Sequence, residues 1–146
     1  MKIVDLSPVA SPLTLVPLAQ MLDAVACGFP SPAQDYEQNP IDLTEMLVED
    51  PAATFLVRVA GTSMTLAGID DGDVVLVDRS KVPHAGDVVV AVLDGEFTIK
   101  RLVRERGTWA LRAESTEWPD VVVDELSELV IWGVVTVSFR FQRPRR

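Results

Sequence analysis

The sequence has a single cysteine, a single histidine and no long run of apolar residues. One cysteine excludes a disulfide framework within the chain and is typical of a protein of the reducing cytoplasm. No stretch approaches the length of a membrane-spanning apolar helix, so no membrane location is predicted. Positive charge is also scarce: the formal net charge of −9 argues against binding nucleic acid through its phosphates.

The sequence is instead rich in apolar residues, which occur in short, valine-rich runs. They make up 48% of the 146 residues, enough for the core of one domain and too many for a disordered chain. Runs of valine favour β-strands over helices. We therefore expect an acidic, globular and sheet-rich protein.

The chain changes character near residue 40. Residues 1–40 contain most of the prolines and no valine-rich strand pattern, which predicts an N-terminal arm, whereas residues 41–146 predict a β-rich domain. Asp42 and Glu45 have the spacing of a capping box and predict a short helix over 42–49, which Pro51 ends. Six strands follow, separated by turn residues, over 54–60, 73–78, 87–93, 96–103, 108–113 and 129–140.

Lys100 is the first residue with a candidate chemical role. Asp94-Gly95 predicts a two-residue hairpin turn, and side chains alternate along each strand. The lysine should then share one face with small and apolar neighbours, namely Val89, Ala91, Leu93, Thr98 and Leu102. Two interpretations stay open: the ammonium reaches water beyond a packed stem, or the lysine is desolvated and acts as a neutral general base.

Ser63 is the candidate nucleophile. It lies just beyond strand 54–60 and follows Gly61, which permits a tight turn. Such a turn can present a hydroxyl beside free backbone N–H groups, although an ordinary turn serine that bonds its own backbone has the same pattern. His84, the only histidine, lies in a polar connection without a motif, so a lysine is the better partner for Ser63.

Four segments in order carry a resemblance to a known family: "ACGFPSP", "IDLTEML", "RVAGTSMTLAGIDDGDVVLVD" and "AGDVVVAVLDGEFTIKRL". Together they resemble the UmuD branch of the LexA-like self-cleaving serine–lysine peptidases, the S24 peptidases, over about residues 20–140. The resemblance implies a mainly β peptidase domain. Its short antiparallel strands would form a partly closed barrel, with one short helix and a flexible N-terminal arm.

The resemblance also implies a role for each site residue. Ser63 corresponds to the nucleophile, Lys100 to the general base, and Cys27–Gly28 to the scissile bond. The backbone N–H groups of Thr62 and Ser63 would hold the oxyanion, and no metal or cofactor is needed. In this interpretation the sulfur of Cys27 does no chemistry.

Partners follow from the same resemblance. UmuD-like proteins form homodimers, are stimulated to cleave by a RecA filament on single-stranded DNA, and then act with a Y-family, UmuC-like translesion polymerase in the SOS response. Repressors of the family carry a DNA-binding helix-turn-helix, for which the 40 proline-rich residues here are too few. We therefore expect no direct DNA-binding domain.

Three alternatives stay open from the sequence alone. The β domain could be a non-catalytic module that only binds a polymerase. "AVAC" has the form of a lipoprotein processing site, which would make the chain an exported lipoprotein cut before Cys27, although the prolines and acidic residues upstream disfavour this. Locally, the segment from Pro17 to a cap at Gly28 could be a helix, whereas a peptidase cleft would need it extended.

Overall fold

The computed structural model describes residues 1–8, 19–20, 37–117, 121–122 and 129–143. The chain divides into two compact units: Met1–Val9 together with Asp50–Arg146, and Ala10–Glu49. Among the residues described, no helix is long and apolar enough to cross a membrane.

The larger unit is built on one antiparallel sheet of eight strands. In chain order they are β1 (Lys2–Pro8), β4 (Thr54–Ala60), β5 (Val74–Asp78), β6 (Val88–Leu93), β7 (Glu96–Glu105), β8 (Thr108–Arg112), β9 (Val121–Val122) and β10 (Leu129–Phe139). Their order across the sheet is β1-β4-β5-β10-β6-β7-β8-β9. Two short 3₁₀ turns, Pro51–Ala53 and Thr65–Ala67, flank β4 and the loop that follows it.

The mainly β fold predicted from the sequence is confirmed, and all six predicted strands are present. One detail differs: β1 and β9 are the edges of an open strand order, so the sheet is not closed into a barrel. The sheet nevertheless coils, and this brings the start of β1 to β7. There the Ile99 amide donates to the carbonyl of Met1 at 3.1 Å. Sequence reasoning missed β1, whose short run of mixed polar and apolar residues contains a bulge between Ile3 and Asp5.

Valines on the inward face of the central strands form the core. The largest cluster of buried side chains comprises Met1, Val57, Val59, Met64, Ile69, Val75, Val77, Val90 and Ile99. Its members on β4 and on β5 are two residues apart, as the alternation of strand side chains requires. The sheet is closely packed: at Gly133 of β10 an added Cβ would lie 2.5 Å from the Val77 side chain.

The smaller unit contains a two-stranded sheet and a helix. Strands β2 (Ala19–Gln20) and β3 (Glu37–Pro40) pair antiparallel, and α1 spans Leu43–Leu47. Asp42 caps α1 as predicted, accepting from the Thr44 amide at 2.9 Å, but the helix ends two residues before the predicted end because Val48 is extended. The strand β2 lies where one of the two local interpretations placed a helix; Cys27 and Gly28 lie outside the described residues.

Candidate active site

Ser63 lies in a tight loop immediately after β4. Gly61 has φ +109°, a conformation that side-chain-bearing residues rarely adopt, and its amide donates to the Asp71 carboxylate at 2.8 Å. Met64, fully buried in the core, follows directly. The turn and the buried methionine fix the position of Ser63, which is itself 2% exposed.

The β6–β7 hairpin places Lys100 as the sequence predicted. Asp94 and Gly95 both have positive φ, as a type I′ turn requires. The register pairs Val89 with Lys100 and Ala91 with Thr98. Lys100 is 7% exposed, so its ammonium does not reach out to bulk water.

The two candidate side chains meet although they are 37 residues apart in the chain. Lys100 Nζ donates to Ser63 Oγ at 3.0 Å, to Thr98 Oγ1 at 3.1 Å and to the Ile99 carbonyl at 3.3 Å. A serine hydroxyl within hydrogen-bond distance of an amine is the arrangement that nucleophilic catalysis needs, because the amine can accept the hydroxyl proton. Thr98 and Ile99 fix the direction of the lysine.

A third group at the site had no signal in the sequence. The α-amino group of Met1 donates to Ser63 Oγ at 2.6 Å. Burial, with the hydrogen bond to Lys100 and the charges of Lys100 and Lys2, lowers the pKa of this amine from 8.0 to about 5. Only the tertiary pairing of β1 with β4 brings Met1 to Ser63 and Lys100, so no local pattern could have revealed it.

A cavity of about 440 Å³ opens beside the two side chains. Its lining comes from the first residues of the chain, the loop after β4 and the β6–β7 hairpin, and comprises Met1, Lys2, Ala60, Gly61, Thr62, Ser63, Leu93, Glu96, Phe97, Thr98 and Lys100. His84 is not among these residues. It is exposed, and its Nδ1 lies 4.0 Å from Oδ2 of Asp87. A triad that uses this histidine is therefore not formed.

A buried serine–lysine pair on an antiparallel sheet is typical of serine–lysine peptidases, and the comparison with known proteins gives the same class. The profile of the Peptidase S24-like family matches residues 20–136, and the chain belongs to this family. The resemblance noted in the sequence is thereby confirmed, and the chain is a serine peptidase of the LexA and UmuD kind.

Several curated relatives support the same assignment. The chain is 43% identical to Protein ImpA of Salmonella typhimurium over 115 residues, which cover 78% of this chain and 77% of that protein. It is 45% identical to Protein MucA of Escherichia coli over 118 residues, 80% of each. It is also 38% identical to the LexA repressor of Photobacterium profundum over 121 residues, 82% of this chain and 62% of the repressor.

Proposed function

We propose that the protein cleaves its own chain between Cys27 and Gly28 by means of a Ser63–Lys100 dyad. The observation that carries the proposal is the 3.0 Å hydrogen bond between Lys100 Nζ and Ser63 Oγ in a buried setting. The lysine would act as the base and accept the hydroxyl proton of the serine, the role that membership of the family suggests. The smaller unit, Ala10–Glu49, would be the arm that carries the bond, and Met1–Val9 together with Asp50–Arg146 would be the peptidase domain.

The reaction would proceed through an ester. Neutral Lys100 takes the proton of Ser63 Oγ, which attacks the carbonyl carbon of Cys27. The C–N bond to Gly28 breaks, and the lysine returns its proton to the leaving amine. Water, deprotonated by the same lysine, then hydrolyses the ester and leaves a carboxylate on Cys27.

Backbone N–H groups would stabilise the charge that develops on the carbonyl oxygen. The amides of Thr62 and Ser63 are the candidates, because the loop after β4 holds both beside the nucleophile and both residues line the cavity. This cavity would receive the side chain before the cut, and cysteine is small and apolar enough to enter it.

The biological setting is proposed from the relatives. Their similarity supports a place in SOS mutagenesis. We infer a cytoplasmic homodimer whose self-cleavage is stimulated by a RecA filament on single-stranded DNA. The shortened product would then act as accessory subunit to a Y-family translesion polymerase.

Incubation of purified protein at alkaline pH, with and without a RecA filament, tests the cleavage. Intact mass should show loss of residues 1–27, at a rate that rises with pH because only the neutral amine accepts a proton. Ser63→Ala and Lys100→Ala should each lower the rate by at least about 10²-fold, the usual contribution of such groups. Ser138→Ala, an exposed serine on β10, is the matched control.

The same measurement separates the rival functions. A non-catalytic module would give no shortened product under any condition. A lipoprotein would lose residues 1–26 and keep a modified Cys27. Cleavage that persists in Ser63→Ala would place the nucleophile elsewhere.

A further inference from the structure

Strand β1 runs out of the candidate active site. Met1, the residue just before β1, is 8% exposed, and both ends of its backbone are hydrogen-bonded. Its amine donates to Ser63 Oγ at 2.6 Å, and its carbonyl accepts from the Ile99 amide at 3.1 Å. The strand then pairs antiparallel with β4, from Lys2 opposite Ala60 to Pro8 opposite Phe55. Met1 and Lys2 therefore line the cavity at the candidate active site, and residues 3–8 continue from it as an extended edge strand along β4.

The position of the amine matches that of a leaving group. When a serine hydroxyl cleaves a peptide bond, the amine that departs belongs to the residue after the cut and starts within contact distance of Oγ. The amine of Met1 is at that distance from Ser63 and within reach of Lys100, which would supply its proton. Met1 and Lys2, at the start of β1, thus lie in the half of the cleft where the chain after the cut would begin.

Two chains cannot occupy this half of the cleft together. We propose that strand β1 is a built-in competitor of the cleavable arm, lying in the place of the residues that follow the cut, and that it must leave before Gly28 can enter. The inference rests on the proposed self-cleavage, which identifies the segment around Cys27 and Gly28 as the chain that β1 excludes.

The strand is placed so that it can leave. It is an edge of the sheet, so among the described residues its departure breaks the pairing with β4 and the hydrogen bond from the Ile99 amide to the Met1 carbonyl. The bulge between Ile3 and Asp5 interrupts that pairing. Beyond Met1, its apolar contacts with the core come from two partly buried side chains, Ile3 and Leu6, while Val4 is 62% exposed.

The test weakens β1 in the full chain and leaves the dyad intact. Ile3→Ser with Leu6→Ser removes the two partly buried apolar side chains, and Val4→Ala is the control on the same strand. We expect the double variant to self-cleave about tenfold faster, since a larger fraction of molecules has an empty cleft. Ser7→Pro, which removes a backbone donor from β1 and no core contact, is the second variant if the first does not fold.

A binding measurement makes the result independent of catalysis. A fluorescent peptide with the sequence of residues 22–34, LDAVACGFPSPAQ, is titrated against Ser63→Ala protein with and without the β1 substitutions. The peptide should bind about tenfold more tightly when β1 is weakened, for the same reason of occupancy. The Val4→Ala chain should bind it as the parent does.

The outcomes separate this inference from the proposed function. Equal cleavage rates and equal peptide affinities would overturn the competition while self-cleavage stands. Tighter peptide binding without cleavage in any variant would support the competition and refute the dyad. Slower cleavage in the β1 variants would also overturn the competition, because β1 would then support the site rather than occupy it. No peptide binding in either chain would overturn it as well, because weakening β1 would then open no place for the arm.

Discussion

The α-amino group of Met1 should make the stability of the protein depend on pH. Its pKa falls from 8.0 to about 5 on folding, chiefly through burial and then through Lys100. Between these two pH values the unfolded chain binds a proton that the folded chain does not. The amine therefore lowers the free energy of unfolding most at about pH 5 and below. The free energy of unfolding rises with pH between these values, and the amine no longer lowers it above about pH 8.

The size of the effect follows from the same two values. A lowering from 8.0 to about 5 corresponds to a ceiling of about 4 kcal/mol, at about 1.36 kcal/mol for each pH unit. The amine borders a cavity that is open to solvent, and screening reduces the energies of such partly exposed charges. We expect a gain of about 1–2 kcal/mol in the free energy of unfolding between pH 5 and pH 8.

Urea unfolding of intact protein, at several pH values from 5 to 8, measures this gain. The comparison is with the same chain acetylated at its N-terminus, which has no titratable amine, and both carry His84→Gln to remove the only histidine. The free-amine chain should show the steeper rise of stability with pH. Equal slopes for the two chains would refute the burial of the amine beside Ser63 and, with it, the docking of β1 in the cleft.

Two further predictions test the site and the packing of the sheet. Thr98→Val keeps the shape of the side chain but removes the acceptor that helps to direct Lys100 Nζ towards Ser63 Oγ, so self-cleavage should slow about tenfold through misplacement of the base. Thr108→Val, exposed on β8, is the control, and an unchanged rate in Thr98→Val would remove Thr98 from the site. Gly133→Ala places a methyl group 2.5 Å from Val77 and should lower the free energy of unfolding by about 1–3 kcal/mol in urea. An unchanged midpoint in that variant would show that the sheet accommodates the methyl group.

Local chemistry of the sequence was sufficient to predict the hairpin that carries Lys100. Asp94-Gly95 adopts the positive φ values of its turn type, and the two-residue loop fixes which residues face each other. Alternation of side chains then determines that Lys100 shares a face with Val89 and Ala91. The cap of α1 by Asp42 was equally local, since it depends on one side chain and an amide two residues away.

The contact between Ser63 and Lys100 is of another kind. Nothing in the sequence between Ser63 and Lys100 sets the 3.0 Å distance between their side chains. From the residues alone, Ser63 could be a turn serine and Lys100 a strand lysine that reaches water. Only the resemblance to a family indicated that the two belong to one site. The distance results from the order of β4 and β7 in a coiled sheet, with three other strands, β5, β10 and β6, pairing in between. Long-range pairing of this kind is a property of the assembled core, which local propensity does not encode.

The place of the N-terminus was decided by tertiary structure alone. The sequence predicted an arm over residues 1–40 from its prolines and from the absence of a valine-rich strand. Met1 instead lies in the main core, and β1 pairs with the open edge of β4. An edge strand gains its stability from a partner distant in sequence and from side chains already assembled there. The sequence by itself determined the sheet, the hairpin and the candidate residues; only the folded sheet determined that the chain's own amine lies against Ser63.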